Sequence, residues 1–208
     1  TGANNSSFGL HALRLNTTAT ANVAVGTYAG YSLTTGGSNT AIGYNSLSSE
    51  DAHGGNVAVG TNTLAAQNAG ATGYNTAVGH NAGLSVTTGT NNTILGGLSG
   101  DSLTTGGANT ALGMQALNTE AAGGNSVAVG YQALYGANGT GARYNTAVGS
   151  NAGQNVTNGT QNTLLGGLTG NTQTSGSQNT LLGYATQASS NGGVRQIVIG
   201  SNTTGAGD

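Results

Sequence analysis

The chain has no cysteine, no proline, no tryptophan and no lysine, and charge of either sign is nearly missing. Without cysteine there is no disulfide framework and no thiolate zinc site, and the redox compartment stays open. Three arginines against five acids give a net charge of −2, too sparse a footprint for nucleic acid or an anionic membrane surface. Charged residues make up 4% of the chain, against about 25% in an average soluble domain, so ion pairs cannot carry the fold. Eight Tyr and one Phe are the only aromatics, and the 35% apolar content comes mainly from Ala, Val and Leu. Such a composition cannot fill a thick globular core. No apolar run is long enough to span a bilayer. The first residues do not resemble a signal peptide, so an extracellular destination would depend on something outside this chain.

What is present is glycine, 40 of 208 residues, and repetition. Disordered chains carry excess charge and few β-branched residues, whereas Val, Ile and Thr recur here at fixed places. "YNTAVGHNAG" at 74–83 returns as "YNTAVGSNAG" at 144–153. A Gly closes each small apolar pair: Gly9, Gly26, Gly43, Gly60, Gly79, Gly96, Gly113, Gly130, Gly149, Gly166, Gly183 and Gly200. Their spacing is 17 residues, with 19 at every fourth step, so a four-rung block spans 70. Residues 38–107 and 108–177 are two copies of that block, identical at roughly half their positions. The pattern occupies 1–208 as a single repeat domain, and its ends resemble the tails of further rungs, as in a piece of a longer fibre.

A short fixed period means that each unit buries its apolar face only against its neighbours. No 3.6-residue periodicity is present, and Gly interrupts every few residues. The expected fold is therefore all-β: a parallel β-roll or β-solenoid of about twelve 17–19-residue coils, with two short strands per coil. Stacked at about 4.8 Å per rung, it would be a rod on the order of 55 Å long. Asn opens nearly every rung, at Asn22, Asn39, Asn56, Asn75, Asn92, Asn109, Asn145, Asn162 and Asn179. Ser126 and Gln196 are the exceptions. Stacked amides predict a structural ladder along the axis. Two adjacent apolar columns follow. One is Ala24, Ala41, Ala58, Ala77, Ile94, Ala111, Ala128, Ala147, Leu164, Leu181 and Val198. The other is Val25, Ile42, Val59, Val78, Leu95, Leu112, Val129, Val148, Leu165, Leu182 and Ile199. Neighbours on a strand point to opposite faces, and a coil this small has one thin interior. One column fills it, and the other needs a partner, most simply another copy of the chain.

The stretches "NVAVGTYA" (22–29), "NTAIGYNSL" (39–47) and "NSVAVGYQAL" (125–134) resemble the head repeats of trimeric autotransporter adhesins, and more closely the repeats of phage tail-fibre proteins. The resemblance covers essentially the whole chain. It implies a left-handed roll, a homotrimer, and a place in an extracellular receptor-binding fibre, on a virion tail or a bacterial surface. The adhesin repeat is shorter, typically near 14 residues, and the stalk, coiled coil and membrane anchor of that family are absent, which favours the tail-fibre side.

Catalytic chemistry is not expected, and neither a cofactor nor a metal site is expected. Glu50 and Glu120 occupy one repeat position four rungs apart, roughly 19 Å, too far for a hydrolytic carboxylate pair. His11, His53 and His80 fall at different repeat positions and should not converge. The "GGLSGDSLTTGG" stretch (96–107) lacks the Lys of a phosphate loop. Recognition is expected on the inserted coils at 67–74 and 137–144, with Tyr74, Arg143 and Tyr144 as receptor-contact candidates for a cell-surface glycan or protein. Other readings are a bacterial adhesin head, an architectural filament, or an ice-binding solenoid using Thr pairs at 34–35, 87–88 and 104–105. With few charges, stability should be insensitive to salt and to mild acid.

Overall fold

One short stretch of each repeat is extended. The computed structural model describes residues 2–205; Thr1 and residues 206–208, Asp208 among them, lie outside the described residues. Three-residue strands form at β1 (Ser6–Phe8), β2 (Val23–Val25), β3 (Thr40–Ile42), β4 (Val57–Val59), β5 (Thr76–Val78), β6 (Thr93–Leu95), β7 (Thr110–Leu112), β8 (Ala122–Gly124), β9 (Val127–Val129), β10 (Thr140–Ala142), β11 (Thr146–Val148), β12 (Thr163–Leu165), β13 (Thr180–Leu182) and β14 (Ile197–Ile199). Twelve of them, all but β8 and β10, make one parallel sheet in chain order, a solenoid of about eleven turns. Register never slips: Thr40, Ala41 and Ile42 pair with Val57, Ala58 and Val59, and the same three positions meet at every step. Among the described residues there is no helix, and so none long and apolar enough to cross a membrane.

The expectation of two strands per coil is corrected to one. The second residue after each anchor glycine, and the fourth after all but Gly183 and Gly200, sit at left-handed backbone angles, as at Gln115 (φ 57°) and Leu117 (φ 51°). Alternating such residues with right-handed ones folds the chain into tight corners, which leaves no room for a second extended run. The small β8–β10 pair joins the second inserted coil, which carries β10, to the turn of the rung before it, which carries β8.

The interior is thin and is filled from four columns. The middle residue of every main-sheet strand from β2 onward points inward, so Ala24, Ala41, Ala58, Ala77, Ile94, Ala111, Ala128, Ala147, Leu164, Leu181 and Val198 are buried. Small residues three positions after the anchor glycine stack beside them, among them Ala29, Ser46, Thr63, Ala82 and Ser99. Larger side chains come from two sites that trade places. Leu47, Leu64, Leu117 and Leu134 stand four residues after the anchor; where Gly holds that site, Leu33, Val86, Leu103 and Val156 reach in from seven residues after it.

The fourth column is the asparagines. Wherever an Asn stands one rung earlier, the main-chain N–H donates to its Oδ1: Asn39 to Asn22 at 2.8 Å, Asn92 to Asn75 at 2.8 Å, Asn179 to Asn162 at 3.0 Å; Asn145 follows Ser126 and is the exception. The Nδ2 groups then donate across the coil to turn carbonyls, as Asn92 does to Gly106 and Asn162 to Gly176. The side chains thus satisfy buried backbone groups that this narrow coil cannot pair otherwise. Asn162→Ala would orphan the Asn179 N–H and the Gly176 carbonyl, and should cost about 2–5 kcal/mol in denaturant unfolding. Asn68→Ala, on an exposed bulge, should change stability by less than about 0.5 kcal/mol.

Candidate functional site

Two surfaces combine exposure with unusual chemistry. The first is the outward face of the sheet. The column of Val25, Ile42, Val59, Val78, Leu95, Leu112, Val129, Val148, Leu165, Leu182 and Ile199 points away from the core along the full stack, half-buried or exposed throughout. Val25 is 37% exposed, Val148 39% and Leu95 47%. Tyr44, Met114, Tyr131 and Tyr184, each directly after an anchor glycine, are exposed beside it and widen the apolar band.

The second surface is formed by the inserted coils. The two extra residues bulge outward, and Tyr74 and Tyr144 stand exposed on the bulges at left-handed backbone angles. Arg143 does not join them, which corrects the expectation that it faces a receptor. It is 2% exposed and turned into the coil, where Nη2 donates to the carbonyls of Thr157 and Gly159. Its Nε faces Oε2 of Glu120 at 3.9 Å. Glu120 is buried for a reason visible in the register: it stands one rung after Leu103, in the same inward column. A carboxylate there needs a cation, and Arg143 reaches it from the next bulge. Gly139 gives the guanidinium its path, since a Cβ built there would collide with Nη1 of Arg143.

In the first copy of the block the carboxylate is kept and its surroundings change. Glu50, one rung after Leu33, is fully buried, but the position matching Arg143 is Gly73 and the one matching Gly139 is Ala69. His53, which matches Gly123, supplies the neighbour instead: its main-chain N–H donates to Glu50 Oε1 at 3.1 Å, and its Nδ1 lies 3.3 Å from that oxygen. Asp51 joins them, and one donor atom from each of the three lies within 4.8 Å of the others. His53 also lines an open recess of about 440 Å³ with Ser38, Gly54, Gly55, Thr72 and Tyr74. Tyr74 packs its ring against Gly55 on the wall of this recess.

Burial raises the carboxyl of Glu120 above its ordinary value of 4.5, against the opposing pull of Arg143 and the Gly123 amide. Burial likewise raises Glu50, opposed first by the His53 amide and then by its ring, and Asp101, opposed by His80. An acid with a raised folded value holds its proton more tightly when folded. Its contribution to stability is therefore complete below the ordinary value and lost as pH rises through the folded one. The expected indifference to mild acid gives way to a stability that increases as pH falls from neutral toward 4.5. Melting curves in chelator across that window should show the rise, and Glu120→Gln should reduce it, leaving the part that Glu50 and Asp101 contribute. A flat parent profile would mean that Glu120 is not held in the interior.

A further surface is not apparent from the linear sequence. His11, Tyr28, Tyr31 and Tyr44 come from three successive rungs and form an aromatic group, with ring centroids 5.2 Å apart for His11–Tyr28 and 5.5 Å for Tyr28–Tyr31. Stacking the sequence in 17-residue rows would place Tyr28 near Tyr44. The mixed acid and imidazole group at 50–53 escapes a reading that weighs histidines only against histidines and carboxylates only against carboxylates. No family model, curated protein or solved structure matches the chain.

Proposed function

We propose that this chain is a structural and receptor-binding segment of a fibre in which three copies pack side by side as left-handed rolls, most closely comparable to a phage tail fibre. Such a fibre would be extracellular and would attach its bearer to a cell surface. The observation that carries the reading is the outward apolar column, continuous from β2 to β14 on a scaffold almost free of charge. A stripe of that length in water is an unusually large apolar patch for a monomer, and three parallel copies can turn their stripes together toward a common threefold axis. The aromatic group at His11, Tyr28, Tyr31 and Tyr44 and the exposed Tyr74 and Tyr144 are the surfaces suited to stacking on a surface glycan. No catalytic role is proposed. Light scattering on a size-exclusion column should give three times 19.9 kDa; a stable monomer would sink the fibre reading.

The ice-binding alternative keeps one supporting observation. Thr40, Thr76, Thr93, Thr110, Thr146, Thr163 and Thr180 open their strands on the outward face. The turn threonines, by contrast, are engaged in the scaffold: Thr34, Thr87 and Thr104 donate their hydroxyls to the carbonyls of Asp51, Thr104 and Ala121 one rung on. Val57 and Val127 interrupt the strand rank and leucines flank it, so ordered water finds no regular lattice. Thermal hysteresis in a freezing-point assay would favour that alternative; its absence leaves the fibre.

A further inference from the structure

We propose that Glu50, Asp51 and His53 bind one divalent transition-metal ion of the zinc type beside the recess that His53 shares with Tyr74. The inference is independent of the fibre reading. It rests first on an orphaned group in the interior. Glu50 is fully buried, yet apart from a weak pull by the Ala69 amide its Oε2 has no hydrogen-bond partner, and neither has Nδ1 of the adjoining His53; Oε2 of Glu120 likewise makes no hydrogen bond but has the Arg143 guanidinium facing it. A buried carboxylate oxygen left unpaired is costly unless something charged meets it.

The second support is the comparison of the two copies of the 70-residue block. Both keep the inward glutamate, and in the second copy Arg143 neutralises Glu120. There Asp51 is replaced by Ala121 and His53 by Gly123, and a Cβ at Gly123 would collide with the Glu120 carboxylate. In the first copy the arginine is gone, a second carboxylate is added, and an imidazole stands 3.3 Å from Glu50 Oε1. Losing the fixed cation while gaining an acid makes little sense for an ion pair between Glu50 and His53 alone. It fits a divalent cation that takes the place of the guanidinium.

The donor set and spacing choose the ion class. Imidazole with two carboxylates suits zinc and its neighbours better than calcium or magnesium, which favour all-oxygen shells. Tetrahedral zinc with bonds of about 2.0–2.1 Å holds adjacent ligands roughly 3.3 Å apart, which is the observed Glu50–His53 separation. Asp51, partly exposed, would close by a rotamer change, and the fourth position would be left to solvent. Bound there, the ion would fix the turn at 50–53 of the third rung and with it the orientation of His53 on the recess wall that it shares with Tyr74.

The test uses the full chain, stripped with chelator and dialysed, then titrated with zinc chloride. Calorimetry should give one site per chain with a micromolar or lower dissociation constant. At a hundredfold excess over that constant, the melting midpoint should rise by about 5 °C or more. His53→Asn and Asp51→Asn, at partly exposed positions that leave the fold in place, should each abolish both effects. His11→Asn and His80→Asn should leave one zinc per chain. Absence of binding, or stoichiometry and midpoint shift unchanged by His53→Asn and Asp51→Asn, would overturn the proposal. Circular dichroism of the stripped variants checks that the loss is of the ion and not of the fold.

Discussion

Gly113→Ala is expected to lower the stability of the chain by at least about 3 kcal/mol, the range for a residue forced into a glycine-only backbone region and against a neighbouring chain segment. Gly113 has φ 130°, and a Cβ built on it would lie 2.5 Å from the carbonyl oxygen of Gly130 and 2.7 Å from its carbon. Both obstacles are backbone, so no rotamer change relieves them. The only escape is to push neighbouring rungs apart, which breaks the β7–β9 pairing and strains the Asn109–Ser126 step of the ladder. Because each rung supports only its neighbours, the damage should appear as early, less cooperative loss of the rungs near the substitution. Gly70→Ala is the control: a Cβ there meets nothing within 4 Å, and the change should be neutral or slightly stabilising. Denaturant unfolding of both variants checks the contrast, and equal midpoints would show that the glycine column is not what sets rung spacing.

The second large effect separates the two adjacent columns. Ala147 is fully buried and Val148 is 39% exposed, although they are consecutive in β11. Ala147→Asp puts an unpaired carboxylate and extra volume into a closed interior, and should prevent folding of that region. Val148→Asp leaves the isolated chain folded but places a charge on each copy in the proposed interface, where desolvation costs several kcal/mol per chain. Its expected result is an intact β signal by circular dichroism with a mass reduced to 19.9 kDa. Should Val148→Asp retain the threefold mass, the outward stripe would not be the contact between copies.

Much of the architecture is legible because it is written redundantly. Twelve glycines at spacings of 17 and 19 specify a stack of equal coils, and the asparagine column specifies where each begins. The burial of Glu50 and Glu120 is legible too: each lies 17 residues after a core leucine, Leu33 or Leu103, and the fixed register carries it inward. A default that places charged residues on the surface hides it. Arg143 is different. Nothing in its local sequence distinguishes an arginine on a bulge that faces solvent from one that reaches back to a carboxylate on the preceding rung.

By itself the sequence determined a parallel β-solenoid, its period, its two-copy block and the pair of apolar columns, because stacking equal units requires only that like positions meet. The tertiary structure alone decided which column faces inward, that each coil has a single strand, and which cation meets each buried glutamate. Those outcomes depend on the direction the chain takes at its left-handed corners and on how far a two-residue bulge can turn a side chain across the coil, and both are set by packing against the neighbouring rungs.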